Sequence, residues 1–216
     1  MTPEQLAAQL RCPNGDDGQQ VADNMNTHNQ PIITATYEAL ALKGGESVLE
    51  IGPGTAGHLP ALLGRADGLD YTGLDLSADM VNAATAIHAH LPGVRFVEGD
   101  LHQPPLPTGH YQAIVAINVV YFWNPLAPAL QALLTLLRPG GQLCLGLRDH
   151  RSMSTLPVFQ HGFLTYQGPD LQEALEQARF EDVSLQIIPE ESINVMGDVM
   201  HKTGLVLRAR KPEAQP

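Results

Sequence analysis

The chain has 216 residues, 44% of them hydrophobic, enough for one domain with a sizeable core. Its formal charge is -11 with only three lysines, and a nucleic-acid footprint needs clustered Lys and Arg, so a phosphate backbone is excluded as a partner. Cys12 and Cys144 form neither a CxxC pair nor a disulfide framework, and no basic-flanked leader or apolar run of about 18 residues occurs. The expectation is a reduced, cytoplasmic protein without a membrane span, with a homodimer left open.

A short helix is predicted over Pro3 to Leu10, followed by a polar stretch rich in Asn, Asp, Gly and Gln. A second helix starts at Pro31, places Ile32, Ala35, Ala39 and Leu42 on one face, and ends at Gly44-Gly45. These first 45 residues read as an N-terminal helical cap (1–45) on a domain that fills 46–216. From there apolar runs alternate with helical periodicity. The strands are Ser47 to Ile51, Asp70 to Leu74, Val94 to Val97, Tyr111 to Ile117 and Gly141 to Leu147. The helices between them lie near Ala56 to Gly64, Ser77 to His90 and Pro125 to Leu137, the last closed by Arg138-Pro139-Gly140. Such alternation predicts an α/β, doubly wound, mostly parallel sheet with helices on both faces. Residues 148–168 read as a long loop or lid. The tail reads as a helix over Asp170 to Ala178, a strand over Val183 to Ile188, a loop through Gly197 and a strand over Gly204 to Ala209. The last two strands are candidates for an antiparallel edge.

The strongest local signal is Val48-Leu-Glu-Ile-Gly-Pro-Gly-Thr-Ala-Gly57, a strand running into a glycine turn that opens a helix. Taken literally, Gly52-x-Gly54-x-x-Gly57 with Asp75 downstream is a dinucleotide fingerprint. Glu50 argues against a pyrophosphate there. One carboxylate about 5 Å from a phosphate charge costs roughly 3 kcal/mol at an effective dielectric of about 20. S-adenosylmethionine (SAM) carries an ammonium and a sulfonium against one carboxylate, so Glu50 suits it. Asp75 closes the second strand, where it can accept from both ribose hydroxyls, and Asp100 follows the third, where it can accept from an adenine amino group.

The stretches VLEIGPGTAGHL, YTGLDLSADMV, FVEGDLHQPPLP, AIVAINVVYFW and LLRPGGQLCL, in this order and spacing, resemble the class I SAM-dependent methyltransferases, in particular their small-molecule, quinone-biosynthesis branch. The resemblance covers about Ser47 to Leu147 and implies a Rossmann-like, seven-stranded sheet with a reversed last strand. It also implies a cofactor site formed by Glu50, Gly52, Pro53, Gly54, Thr55, Gly57, Asp75, Leu76, Met80, Asp100, Leu101 and Asn118, with Asn118 bordering the transferable methyl. The family's third glycine falls at Ala56 in this chain, which leaves the path of the turn open.

For the small-molecule acceptor the expectations are thinner. His28, in Met25-Asn26-Thr27-His28, is a near-neutral titrating group before the second helix and the first candidate for a base; similar stretches in the resembled branch add to this. A capping or solvent-facing histidine is the competing reading. Tyr121-Phe122-Trp123 follows Asn118 as an apolar wall or as core packing, with Asn118 and Tyr121 as further catalytic candidates. His150, Arg151 and His161 are weaker substrate candidates in the lid, and no metal is expected, because His88 and His90 do not share a helix face. Two rivals remain: an NAD(P)-dependent oxidoreductase, for which a Tyr-x-x-x-Lys pair is missing, and a non-catalytic SAM-binding protein.

Overall fold

The computed structural model describes residues 1–214 apart from Thr155 and Met196. Helix α1 (Pro3–Arg11) begins in a capping box: Gln5 N donates to Thr2 Oγ1 (3.2 Å) and Thr2 N donates to Gln5 Oε1 (2.8 Å). The polar stretch after it, expected to be irregular, is a 14-residue helix, α2 (Gly15–His28). Its pattern escaped the periodicity reading because only a narrow stripe, including Val21 and Ala22, is buried and the remainder is solvated. Helix α3 (Gln30–Ala39) carries Pro31 in its first turn, as expected. Its buried face is Ile32, Ile33, Thr36 and Tyr37 instead of Ile32, Ala35, Ala39 and Leu42, and it ends early because Ala41 turns left-handed (φ 47°).

The alternating section follows the prediction closely: β1 (Ser47–Ile51), α4 (Leu59–Leu63), β2 (Asp70–Asp75), α5 (Ala78–His88), β3 (Val94–Glu98), β4 (Tyr111–Ile117), α6 (Leu126–Leu136) and β5 (Leu137–Arg148). Arg138-Pro139-Gly140, expected as a helix stop, is already the start of β5, which Lys211 N holds through Gly141 O (2.8 Å). Residues 148–168 are partly folded, with α7 (His150–Ser154) and a 3-10 turn (Pro157–Gln160) that bury Met153, Leu156 and Val158. Then come α8 (Gly168–Gln177), β6 (Glu181–Pro189), β7 (Ile193–Val195), β8 (Asp198–Met200) and β9 (Thr203–Arg210). Where a loop through Gly197 was expected, β7 and β8 pair antiparallel.

The main sheet has seven strands in the order β3-β2-β1-β4-β5-β9-β6. Strands β1 to β5 are parallel, and β9 runs antiparallel to both β5 and β6. Alternation along the central strands feeds two cores. Leu49, Ile51, Ile114, Leu143 and Leu145 pack with α6 and α8, while Val48, Ala113, Val115 and Cys144 pack with α3, α4 and α5. The winding direction reverses between β1 and β4, and open α/β sheets form their ligand crevice at the carboxyl ends beside such a switch point.

Candidate functional site

Strand β1 delivers the chain to a turn with three left-handed residues, Gly52 (φ 67°), Gly54 (φ 60°) and Ala56 (φ 52°). Ala56 therefore takes the third glycine's place, at the strain an alanine bears in this region, and Gly57 is exposed. A Cβ at Gly52 would lie 2.6 Å from Val119 Cγ1, so the close approach requires glycine; at Gly54 a Cβ would meet nothing within 4 Å, because the turn opens there onto a cavity. Asp75 pins the turn, accepting from Gly54 N and Ser77 N, both at 2.9 Å. Burial raises its pKa, opposed by the N–H groups of Ser77, Gly54 and Leu76. Ser77 Oγ in turn caps α5 by accepting from Met80 N (3.2 Å) and donates to Pro13 O, which ties the cap's α1–α2 connection to the site.

Glu50 is 1% exposed and points to the α3 side of the sheet. Tyr71 OH donates to Oε2 (2.8 Å), Tyr37 OH lies 3.0 and 3.2 Å from the two oxygens, and His58 Nε2 donates to Oε1 (3.0 Å). These three donors leave about one of a carboxylate's roughly four acceptor positions open. Burial and the charge of Glu50 push both tyrosines well above their ordinary pKa, so they remain neutral donors. Asp100 is more exposed; the backbone N–H and ring of His102 hold its carboxyl below the ordinary value.

A cavity of about 280 Å³ runs over these ends. Of the residues expected at a cofactor site, Glu50, Gly52, Pro53, Gly54, Thr55, Asp75, Leu76, Asp100, Leu101 and Asn118 line it. Gly57 and Met80 do not; Met80 is 1% exposed and belongs to the packing beneath α5. The sequence reading missed Tyr37, Tyr71 and His58 around Glu50. For His58 the proximity of a titratable side chain to the glycine turn was an available signal; for the tyrosines none was, since their meeting depends on the packing of α3 against β1 and β2. It also missed Leu10, Arg11 and Pro13, which the cap brings to the cavity wall.

A second cavity, about 370 Å³, lies beside the first and shares Leu10, Val21, Met25, Asn29, Asn118 and Phe122 with it. His28, Tyr121 and Arg148 line it, together with Phe159 and Phe163. His28 Nδ1 lies 2.9 Å from Asn24 O; a carbonyl only accepts, so Nδ1 carries the proton and a neutral ring leaves Nε2 as an acceptor. Tyr121 OH donates to Asn118 Oδ1 (3.1 Å), and burial raises its pKa above the ordinary value. Trp123 and Phe122 reach the first cavity, whereas His150, Arg151 and His161 line neither. Among the described residues no cluster of His, Cys, Asp and Glu is suited to a metal ion, and no helix is long and apolar enough to cross a membrane.

Residues 48–141 match the family model of the methyltransferase domain. Over 172 residues the chain is 27% identical to the uncharacterized methyltransferase YdaC of Bacillus subtilis, covering 78% of this chain and 92% of that protein. It is 26% identical to the fatty-acid O-methyltransferase of Mycolicibacterium smegmatis over 80% of its own length, and spans 56% of that enzyme. In fold it is similar to Haemonchus contortus phosphoethanolamine N-methyltransferase 2, solved with phosphomonomethylethanolamine and S-adenosylhomocysteine (TM-score 0.70, 16% identity), over 86% of this chain and 53% of that one. Over residues 48–141 the chain is thus similar to methyltransferase domains, and its fold is that of enzymes solved with S-adenosylhomocysteine or S-adenosyl-L-methionine.

Proposed function

We propose that this enzyme methylates an apolar small molecule bound in the second cavity. The observation that carries this is the sharing of Asn118 and the cap residues by two adjacent cavities, one acidic and glycine-walled, the other aromatic. The first fits the donor: Gly54 leaves room where a side chain would intrude, and Glu50 and Asp75 give the crevice the negative charge that a sulfonium and an ammonium favour over a pyrophosphate. Gly52 and Gly54 would hold it through backbone, Asp75 at the ribose, and Asp100 and Leu101 at the adenine.

When bound, S-adenosylmethionine supplies an electrophilic methyl group on its sulfonium. The protein's part is alignment and exclusion of water. Asn118, held by Gly146 O through its own N–H (2.8 Å) and by Tyr121 OH, sits where the cavities meet and fixes the approach of the acceptor. Tyr121, kept protonated, is a positioning residue for Asn118. His28 Nε2 takes a proton from acceptors that have one to lose. The cap, 1–45, closes both cavities from above through Leu10, Val21 and Met25.

Calorimetric titration with SAM, S-adenosylhomocysteine and NADH tests this reading. Both SAM species should bind and NADH should not, and Asp75→Ala should weaken binding by about 2 kcal/mol, roughly thirtyfold, the scale of lost hydrogen bonds to a charged group. NADH binding without SAM binding would restore the oxidoreductase. SAM binding with no turnover over a broad panel of acceptors would make the protein a non-catalytic SAM binder.

A further inference from the structure

We infer that the second cavity takes its ligand by an anionic group, so that the acceptor is an apolar acid, its carboxylate held by Arg148. This rests on the proposed role of that cavity as the acceptor site. Arg148 ends β5 and is 5% exposed, yet it lines the aromatic cavity, and among the described residues it is the only Arg, Lys, Asp or Glu that does.

Its carboxylate partner is shared. Arg148 Nη2 lies 2.9 Å from Glu190 Oε2, and Lys202 Nζ lies 3.1 Å from the same oxygen. Two buried cations thus share one carboxylate whose side chain is fully enclosed, and its other oxygen, Oε1, has no partner among the described residues. Asp149, the adjacent acid, accepts from Ser152 N (2.8 Å) in the first turn of α7 and does not line the cavity. Lys202 Nζ also donates to His28 O (3.1 Å), which adds no charge. Of the charged groups gathered here, Arg148, Lys202, Glu190 and the neighbouring Asp149, only Arg148 lines the cavity, so a ligand there meets a guanidinium with no carboxylate beside it among the described lining residues, and an anion is the group that suits it.

Asn118 supports the same reading. Its Oδ1 accepts from Tyr121 OH (3.1 Å) and Arg148 Nη1 (3.3 Å), which fixes the amide orientation and leaves its NH2 group as a donor. A guanidinium and an amide N–H thus both border a cavity whose walls include Phe122, Phe159, Phe163 and Met153 as well as Asn24, His28, Asn29 and Asn194. A carboxylate offers planar acceptors that match the guanidinium, and its apolar body fills the aromatic part.

Protein saturated with S-adenosylhomocysteine and titrated calorimetrically with decanoate, decanol and decylamine tests this. Decanoate should bind at least about tenfold tighter than decanol, and decylamine weakest. Arg148→Met, which keeps the apolar stem, should bring decanoate down to the level of decanol while decanol binding persists; Arg148→Lys should retain part of the preference. Lys202→Met, outside the cavity lining, should also narrow the gap, because Glu190 then pairs with Arg148 alone and offsets more of its charge. Equal binding of acid and alcohol, binding of neither, or a preference that survives Arg148→Met overturns the anion subsite. S-adenosylhomocysteine binding is read separately in each variant: its absence from the wild-type protein would overturn the underlying methyltransferase reading, and its retention in Arg148→Met shows that the variant is folded.

Discussion

Glu50 is a buried carboxylate solvated by side chains. Tyr37 and Tyr71 donate to it only while protonated, and their pKa values are raised by burial and by its charge. The folded state therefore keeps two protons that the unfolded chain releases above about pH 10. This stabilisation is fully present below that pH and is lost as pH rises beyond it, by up to about 1.4 kcal/mol per pH unit for each tyrosine. Urea unfolding between about pH 9 and 11 should show the decline, and Tyr71→Phe should make it shallower, at the cost of a weaker protein at neutral pH where Glu50 lacks a donor. An unchanged slope would mean that Tyr71 ionises alike in both states. Glu50 itself was legible in the sequence from its place before the glycine turn; its partners were not, because Tyr37 and Tyr71 lie 13 and 21 residues away.

Among the elements, β5 and α3 meet most closely where Gly146 faces Thr36. A Cβ built on Gly146 would run into Thr36 Oγ1, and that hydroxyl is fixed by donating to Ile32 O (2.6 Å). Gly146→Ala should cost about 1 to 3 kcal/mol, the usual penalty of overpacking, measured as a shift in urea midpoint at unchanged slope. In a Thr36→Ala background the same substitution should cost less, since the obstructing oxygen is gone. At the other end, Thr2→Ala removes the capping box of α1 and should cost about 1 kcal/mol locally, seen as faster amide exchange through α1 with the sheet unaffected. Both contacts explain how helices of modest apolar content are held in place. Helix α2 was illegible in the sequence for a related reason: its order comes from contacts with α1, α3 and the start of α5, where Asp79 Oδ2 accepts from Gly15 N (2.9 Å), and hardly from its own periodicity.

For the whole molecule, a ligand that binds only the folded state stabilises it by mass action. S-adenosylhomocysteine at a hundred times its Kd should add about 2.7 kcal/mol. For a chain of 216 residues that corresponds to a rise of roughly 5 to 10 °C in Tm by scanning calorimetry. Asp75→Ala should show little rise at the same concentration. A rise that Asp75→Ala leaves intact would place the ligand outside the cavity described here. Ser77 Oγ reaches Pro13 O from beside Asp75, so the α1–α2 connection is tied to the same edge of the cavity.

The sequence by itself determined the alternating core, the glycine turn and the order of the acids, because each is written locally: a strand or helix period, a left-handed turn position, a carboxylate at a strand's end. Residues 47–147 were therefore readable nearly element by element. The tertiary structure decided what lies opposite those acids. It built α2 from a polar stretch, turned α3 so that Tyr37 meets Glu50, buried Met80, and joined Arg148, Glu190 and Lys202 from separate segments. Such contacts depend on the packing of whole elements against one another, and no local pattern encodes a distance between residues that the chain separates by tens of positions.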